Sequence, residues 1–234
     1  MKKFVFILLL ITVALVGCGT QDQMEEVTAL IETGNYDEAI NKIEEDQLTD
    51  TFNIDELESL KEMDSLFSES AYTRVLSQYK NNPITNEELQ STSDDLLIQS
   101  IEGSMENVQV LKLAIVIVDG FDSDTKARIE EGFEFEKIKQ EVDSIAEMEE
   151  LLEEGAYTRV LTQYRNQPIT VEELQPTSDE LIVQSLEGSS ENAEVFKLAN
   201  MIVEDFDNET QDRIKQDIDL EQVKQELDVD TEQE

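Results

Sequence analysis

Apolar residues recur along this chain at the three- and four-residue spacing of amphipathic helices. Within residues 72–79 they follow the i, i+3, i+4, i+7 pattern of one helical face, and they are Tyr72, Val75, Leu76 and Tyr79. Similar faces follow one another from residue 24 to residue 227, separated by glycine, proline and polar clusters. The pattern predicts an all-α fold.

The helical pattern occurs twice in the chain. Residues 71–142 and 156–227 align without insertion or deletion at a distance of 85 positions, and 42 of the 72 aligned pairs are identical. The apolar spacing extends the two copies to residues 54–141 and 142–227. A repeat of fixed period predicts tandem supersecondary units. Stacking into a solenoid and separation into two similar helical domains both remain open.

The remaining segments lie at the two ends of the repeats. Residues 24–53 predict a helical hairpin, broken at Gly34-Asn35, that ends in a polar loop from residue 46. Residues 228–234 form an acidic tail. A single long helix from about Phe135 to Glu154 is expected to close the first copy and open the second.

Polar clusters divide each copy into further helices. Residues 85–88 and 170–173 have the form of capping boxes for a short helix. Residues 92–95 and 177–180 are similar starts for a next helix, which we expect to end at Gly103 and Gly188. Asp122 and Asp207 are expected to cap another short helix.

The segment Val108–Val118 is rich in β-branched residues, so by itself it also fits a buried strand. The second copy favours a helix, because polar residues interrupt its apolar run at helical spacing; they are Glu194, Lys197 and Asn200. We therefore expect a helix in both copies.

The charge of the chain is strongly negative, with 17 basic against 56 acidic residues and a net charge of −39. Without Lys2 and Lys3 the count is 15 against 56, which is −41. Such a surface repels phosphate, which argues against nucleic-acid binding and against lying flat on anionic lipid headgroups. A basic partner remains compatible with it.

The composition also excludes several chemistries. The chain has no histidine and one cysteine, Cys18. Intrachain disulfides, Cys or His metal clusters and nucleophile systems that use histidine are therefore impossible. We expect no cofactor and no metal site. A frame of acids from Asp119 to Glu130 could hold Ca²⁺, but Phe121 and Asp124 occupy positions of that frame that need an oxygen ligand and glycine.

The N-terminus combines Lys2-Lys3 with a short apolar run that ends in Leu15-Val16-Gly17-Cys18. This pattern resembles the lipobox of bacterial lipoproteins. The resemblance implies a signal peptide at residues 1–17, diacylglyceryl transfer to Cys18 and cleavage before it. It also implies a lipid-anchored, extracytoplasmic protein with a tether at residues 18–23. A secreted protein whose signal peptide happens to end at a cysteine is the alternative.

Three segments resemble the middle of a tetratricopeptide hairpin, Gly-x-Tyr-x-x-Ala with a large residue four positions later. They begin at Gly34, Ser70 and Gly155, and each covers about ten residues. The period of 85 differs from that of the family, so the resemblance supports helical hairpins. It implies the binding of a peptide or protein.

Polar residues kept in both copies are candidates for a binding site. Arg74 and Arg159 are notable because cations are scarce and each arginine lies between two tyrosines; the candidate set is Tyr72, Arg74, Tyr79, Tyr157, Arg159 and Tyr164. Internal ion pairs that hold the helices together are the favoured explanation of the arginines. A ligand site is the other.

The sequence therefore predicts a lipid-anchored helical protein on the outer face of the bacterial cytoplasmic membrane. A non-catalytic module that binds a protein or peptide is the leading functional hypothesis. A carboxylate-based hydrolase of envelope polymer and a receptor for a small ligand are alternatives.

Overall fold

The computed structural model of the chain describes residues 20–217, and every regular element within that range is helical. The all-α prediction is confirmed for this part of the chain. The helices are α1 (residues 20–32), α2 (Tyr36–Glu45), α3 (Ile54–Ser68), α4 (Tyr72–Asn81), α5 (Glu87–Ser104), α6 (Val108–Val118), α7 (Ser123–Gly132), α8 (Phe135–Glu153), α9 (Tyr157–Asn166), the 3₁₀ helix η1 (Glu172–Leu174), α10 (Gln175–Ser189), α11 (Ala193–Val203) and α12 (Asn208–Asp217).

Several predicted elements are confirmed. The hairpin of α1 and α2 breaks at Gly34-Asn35, α6 is a helix, and α8 is the expected long helix. Residues 20–23, which we expected to belong to the tether, are helical; Gln21 donates a hydrogen bond to Glu25 one turn later. The signal peptide, Cys18, the end of the second copy from residue 218 and the acidic tail lie outside the described residues.

The boundary between the two predicted helices at residue 92 is wrong in the first copy. Helix α5 runs without a break through Thr92 and Ser93. In the second copy a short 3₁₀ turn precedes α10, which begins at Gln175 with Pro176 in its first turn. Proline is favoured there because its missing N–H needs no helical acceptor. Ser-Thr-Asp clusters are thus compatible with a helix interior when neighbouring apolar residues are packed.

Three helical hairpins share one junction geometry. Gly34, Ser70 and Gly155 all adopt positive φ, at 74°, 57° and 68°. The next residue in each case donates its N–H to a carbonyl five residues earlier, at 2.8–2.9 Å; these bonds are Asn35 to Leu30, Ala71 to Leu66 and Ala156 to Leu151. This is the Schellman termination of a helix, which favours glycine. It ends α1, α3 and α8 at the segments that resemble tetratricopeptide hairpins.

Serine is the strained member of this set, because a side chain destabilises left-handed backbone. We expect Ser70→Gly to raise the free energy of unfolding by ~0.5–1 kcal/mol in chemical denaturation. Gly155→Ser at the equivalent junction is the matched reverse change and should lower the free energy of unfolding by a similar amount. A loss of stability in Ser70→Gly would contradict this account of the junction.

The chain forms two compact units. Unit 1 contains the described residues up to Ser104 together with Leu113–Phe133, and unit 2 contains Met105–Lys112 and the described residues from Glu134 onward. The units thus divide at 133/134 and also at 112/113 within α6, whereas the repeat boundary in the sequence lies at 141/142 within α8. In unit 1, α4 packs against α3 and α5; in unit 2, α9 packs against α8, α10 and α11.

Each unit has its own apolar core. Fully buried side chains include Leu57, Leu60, Val75, Leu76 and Leu97 in unit 1, and Ile145, Met148, Val160, Leu161 and Ile182 in unit 2. Between residues 20 and 217, no helix is both long enough and apolar enough to cross a bilayer.

Candidate functional site

Two of the predicted site tyrosines are core residues. Tyr79 and Tyr164 are each only 2% exposed. Their hydroxyls lie 3.0 Å from the Thr125 hydroxyl and 3.1 Å from the Thr210 hydroxyl, respectively. Burial raises the pKa of the Tyr164 hydroxyl, and the hydrogen bond with Thr210 opposes that shift. These two side chains are not accessible to a partner while the units are folded.

The tyrosine hydroxyls belong to a polar cluster that the sequence did not reveal. In unit 1, the Arg128 guanidinium contacts Asp94 through two nitrogens, with Nε to Oδ2 at 2.8 Å and Nη2 to Oδ1 at 3.4 Å. It also donates to the Tyr79 hydroxyl at 3.2 Å. The hydrogen bond with Asp94 raises the pKa of Arg128 further. The cluster joins α4, α5 and α7.

Unit 2 repeats the cluster with Arg213 and Asp179, at 2.7 and 3.3 Å. The members of both clusters are identical residues at 85-residue spacing, so the alignment of the copies contained the signal. Sequence reasoning missed it because Asp94 and Arg128 are 34 residues apart and nothing local pairs them. The pair of Asp94 and Arg128, and its equivalent in unit 2, are the internal ion pairs that we had expected at Arg74 and Arg159.

The prediction of internal ion pairs for Arg74 and Arg159 is wrong. Both side chains are exposed. Arg159 is 68% exposed, and its Nη1 lies 3.7 Å from Glu154 Oε2, which is a surface contact. On α4 and α9 each arginine falls on the face away from the buried tyrosine and valine. A ligand site at these two arginines stays a prediction.

Tyr72 and Tyr157 are half-buried and pack against glycine. A Cβ added at Gly103 would lie 2.4 Å from Tyr72 Cζ, and one added at Gly188 would lie 2.4 Å from Tyr157 Cε1. Helices α5 and α10 end at Ser104 and Ser189, one residue after the glycines at which we expected them to end. At each position a tyrosine ring lies directly on the helix backbone and leaves no room for a Cβ, so glycine fits there.

Other polar residues shared by the copies also have structural partners. Gln78 donates to Glu62 at 2.8 Å and Gln163 to Glu147 at 2.9 Å. Asn107 and Asn192 each accept two backbone N–H groups at the start of α6 and α11. Lys112 pairs with Glu149 at 2.6 Å. These residues orient helices.

The predicted capping boxes at residues 85 and 170 use a different carboxylate from the expected one. Glu56, on α3, accepts the Thr85 N–H, the Thr85 hydroxyl and the Asn86 N–H at 2.7–2.8 Å. Glu141, on α8, accepts the same three groups from Thr170 and Val171 at 2.7–3.0 Å. These carboxylates tie the turn after Pro83 or Pro168 to a helix that precedes it by 29 residues.

The capping role predicted for Asp122 and Asp207 is confirmed. Asp122 Oδ1 accepts the N–H groups of Asp124 and Thr125, and Asp207 Oδ1 accepts that of Thr210. The bond from the backbone of Thr125 or Thr210 is the main cause that lowers the pKa of each aspartate. Within the frame from Asp119 to Glu130, the carboxylate of Asp122 is therefore engaged by the start of a helix. The described residues contain no group of three or more acids arranged to hold a metal ion.

Unit 1 has an open polar pocket of about 300 Å³ beside the loop at residues 49–55 and Asn86. Asn86 donates to the Thr51 carbonyl at 2.6 Å, and its buried Oδ1 accepts no hydrogen bond from the described residues. Valine occupies the equivalent position 171. This amide is therefore present in the first copy only, and the carboxylates that line the pocket are those of Asp50 and Asp55.

One surface feature is present in both copies. Every large apolar side chain that is exposed between residues 20 and 217 lies on α6 or α11; these are Val110, Leu113, Val116, Leu198 and Met201. Leu198 and Met201 are equivalent to Leu113 and Val116 in the alignment, and Val195 is equivalent to Val110. We call Leu113 and Val116 apolar row 1, and Leu198 and Met201 apolar row 2.

The exposure of the rows is substantial. Leu113 and Val116 are 52% and 66% exposed, and Leu198 and Met201 are 55% and 56% exposed. The opposite faces of the same helices are buried, with Leu111, Ala114 and Val118 on α6 and Phe196, Ala199 and Val203 on α11. The sequence predicted both helices but not which of their apolar residues remain exposed.

Comparisons of the chain with protein-family models, with curated proteins and with solved structures find no match.

Proposed function

We propose that the chain is a lipid-anchored protein on the outer face of the bacterial cytoplasmic membrane, and that its helical part is a non-catalytic module that binds a protein or peptide. The anchor is supported by Leu15-Val16-Gly17-Cys18, which resembles a lipobox after an apolar segment. Two acyl chains on Cys18 would suffice for stable membrane attachment.

The binding role is supported by one observation, which is the restriction of exposed large apolar side chains to equivalent positions of α6 and α11. Isolated apolar residues are common on protein surfaces, but grouped ones are typical of interaction sites. Here they are grouped on a chain with 56 acidic residues, and the grouping occurs in both copies. We therefore assign the same kind of interaction to the apolar groups of both copies.

Cys18→Ala tests the anchor. Because the acyl group is attached through the Cys18 thiol, we expect the variant to lose all incorporation of radiolabelled palmitate and to retain its signal peptide. The measurement is labelling of the protein in cells, followed by fractionation. Equal membrane retention and equal processing of the variant and the natural chain would contradict the proposal.

Photo-crosslinking in cells tests the binding role. A photoreactive amino acid at Leu113 or Leu198 should crosslink to the same partner, because the two positions are equivalent. Gln99 and Gln184 are matched controls, since both are exposed, they occupy equivalent positions of the two copies, and they lie on other helices, α5 and α10. A product that forms equally from the control positions, or no product from either row, would contradict the proposed role.

A further inference from the structure

The two apolar rows have acidic residues at both ends. Row 1 lies between Glu106 and Asp119, and row 2 lies between Glu191 and Glu204, all four of them exposed. The helices that carry the rows have eleven residues each, which at 1.5 Å per residue corresponds to roughly 16 Å. In each copy an acid therefore precedes the helix that carries the row and a second acid follows it.

Within the rows, negative charge is scarce. Helix α6 contains no acidic residue, and α11 contains only Glu194, although acids make up 56 of the 234 residues of the chain. The cation next to row 1 is Lys112, whose charge is paired with Glu149. A partner that covers row 1 would thus meet an apolar centre and negative ends, whereas row 2 also has the exposed Lys197 beside Leu198.

This charge pattern decides between the possible occupants. A second copy of the chain would bring another net charge of −39 to the interface, and like charges oppose such an association. An anionic lipid surface is opposed for the same reason. A row of two apolar side chains is also far smaller than the roughly 1,200 Å² that stable protein–protein interfaces bury. A single helix fits both the length and the area.

We infer that each chain carries two equivalent docking sites, rows 1 and 2, and that each takes a cationic amphipathic helix. The apolar stripe of that helix lies on the row, and its lysines or arginines lie against the acids at the two ends. This inference rests on the proposed binding role and adds the class of partner and the number of sites. One short helix binds weakly at each row. A partner with two such helices gains affinity through effective concentration.

The test uses the chain from residue 18 to residue 234 with Cys18→Ser, so that no acyl chain is present. The probe is a 14-residue peptide of leucine and lysine with the leucines in one helical stripe. Calorimetry should give two peptides per chain. Leu113→Ser/Val116→Ser and Leu198→Ser/Met201→Ser should each reduce this number to one, and the quadruple variant should bind none. All four side chains are over half exposed, so these changes leave the fold intact.

Three further peptides separate charge from apolar contact. Replacing every lysine by glutamate should weaken binding at least tenfold, and replacing it by glutamine should weaken it severalfold. A peptide of the same composition without a leucine stripe should not show row-dependent binding. In the chain that retains only row 2, Glu191→Gln/Glu204→Gln should lower the affinity severalfold, whereas Glu58→Gln/Glu88→Gln, on α3 and α5, should not.

The outcomes distinguish the inference from the role on which it rests. Equal, row-dependent binding of the lysine and glutamine peptides would overturn cationic recognition and leave the binding role in place. Binding that no row substitution changes, or a ratio above two, would show general adsorption to negative charge and would overturn the inference. A dimer of the chain that the row substitutions dissociate would assign the rows to a second copy. Failure of all peptides together with failure of the crosslinking at Leu113 and Leu198 would remove both proposals.

Discussion

Replacing Arg128 by alanine is expected to lower the free energy of unfolding by ~2–4 kcal/mol. The side chains of Arg128 and Asp94 are 27% and 15% exposed, so the change leaves the Asp94 carboxylate largely desolvated and without its cation. Removal of one member of a fully buried pair costs about 3–5 kcal/mol, and partial exposure places this pair somewhat lower. The change also removes the guanidinium donor to the Tyr79 hydroxyl. Chemical denaturation followed by circular dichroism measures the difference.

Arg74→Ala is the matched control, because it removes the same side chain from an exposed position of the same unit. We expect it to change the free energy of unfolding by less than ~0.5 kcal/mol. Removing both members in Arg128→Ala/Asp94→Ala should recover part of the loss, since no uncompensated charge remains. Equal losses for Arg74→Ala and Arg128→Ala would show that the cluster does not hold α5 and α7 together.

Gly188→Ala is expected to destabilise the natural chain, which has Tyr157, and to stabilise a variant that has alanine at position 157. Alanine is a better helix former than glycine by about 1 kcal/mol in a helix interior. In the natural chain that gain should be outweighed, because the new Cβ would lie 2.4 Å from the Tyr157 ring and the ring would have to move. Overpacking of this kind costs ~1–3 kcal/mol. We therefore expect a net loss of up to ~2 kcal/mol.

In a Tyr157→Ala background the same Gly188→Ala change should stabilise the chain by up to ~1 kcal/mol, because the ring is gone and the helical preference remains. The double-mutant cycle thus predicts a coupling of ~2 kcal/mol, and Gly103 with Tyr72 offers an independent second copy of the experiment. Additive effects in both copies would mean that the glycines are not placed there for the tyrosine rings.

The hairpin junctions show what local sequence carries. Gly34 and Gly155 are of the residue type that favours positive φ just after a helix, so their identity alone predicts a helix end. Ser70 is predicted to end a helix because it aligns with Gly155. A helix end of this kind depends on the backbone conformation of about six consecutive residues, so it can be predicted from a short segment of sequence. The caps at Asp122 and Asp207 were predicted for the same reason.

The candidate site was predicted less well. The sequence correctly marked Arg74 and Arg159 as paired features, but it placed the buried ion pair on them rather than on Arg128 and Arg213. Helical periodicity says which residues share a face, and it does not say which other helix covers that face. The partners of Arg128 and Glu56 lie 34 and 29 residues away, at distances where many pairings satisfy the same local pattern.

Local sequence is enough to establish that this chain is helical and duplicated, that α1 and α8 end just before a glycine, and that α7 and α12 begin at an N-capping aspartate. These properties depend on interactions within a few residues, which composition and spacing record directly. Only the tertiary structure decided that Leu113, Val116, Leu198 and Met201 remain on the surface. Helices α6 and α11 carry more apolar residues than one buried face can hold, and only the packing of their neighbours determines which of these residues are covered.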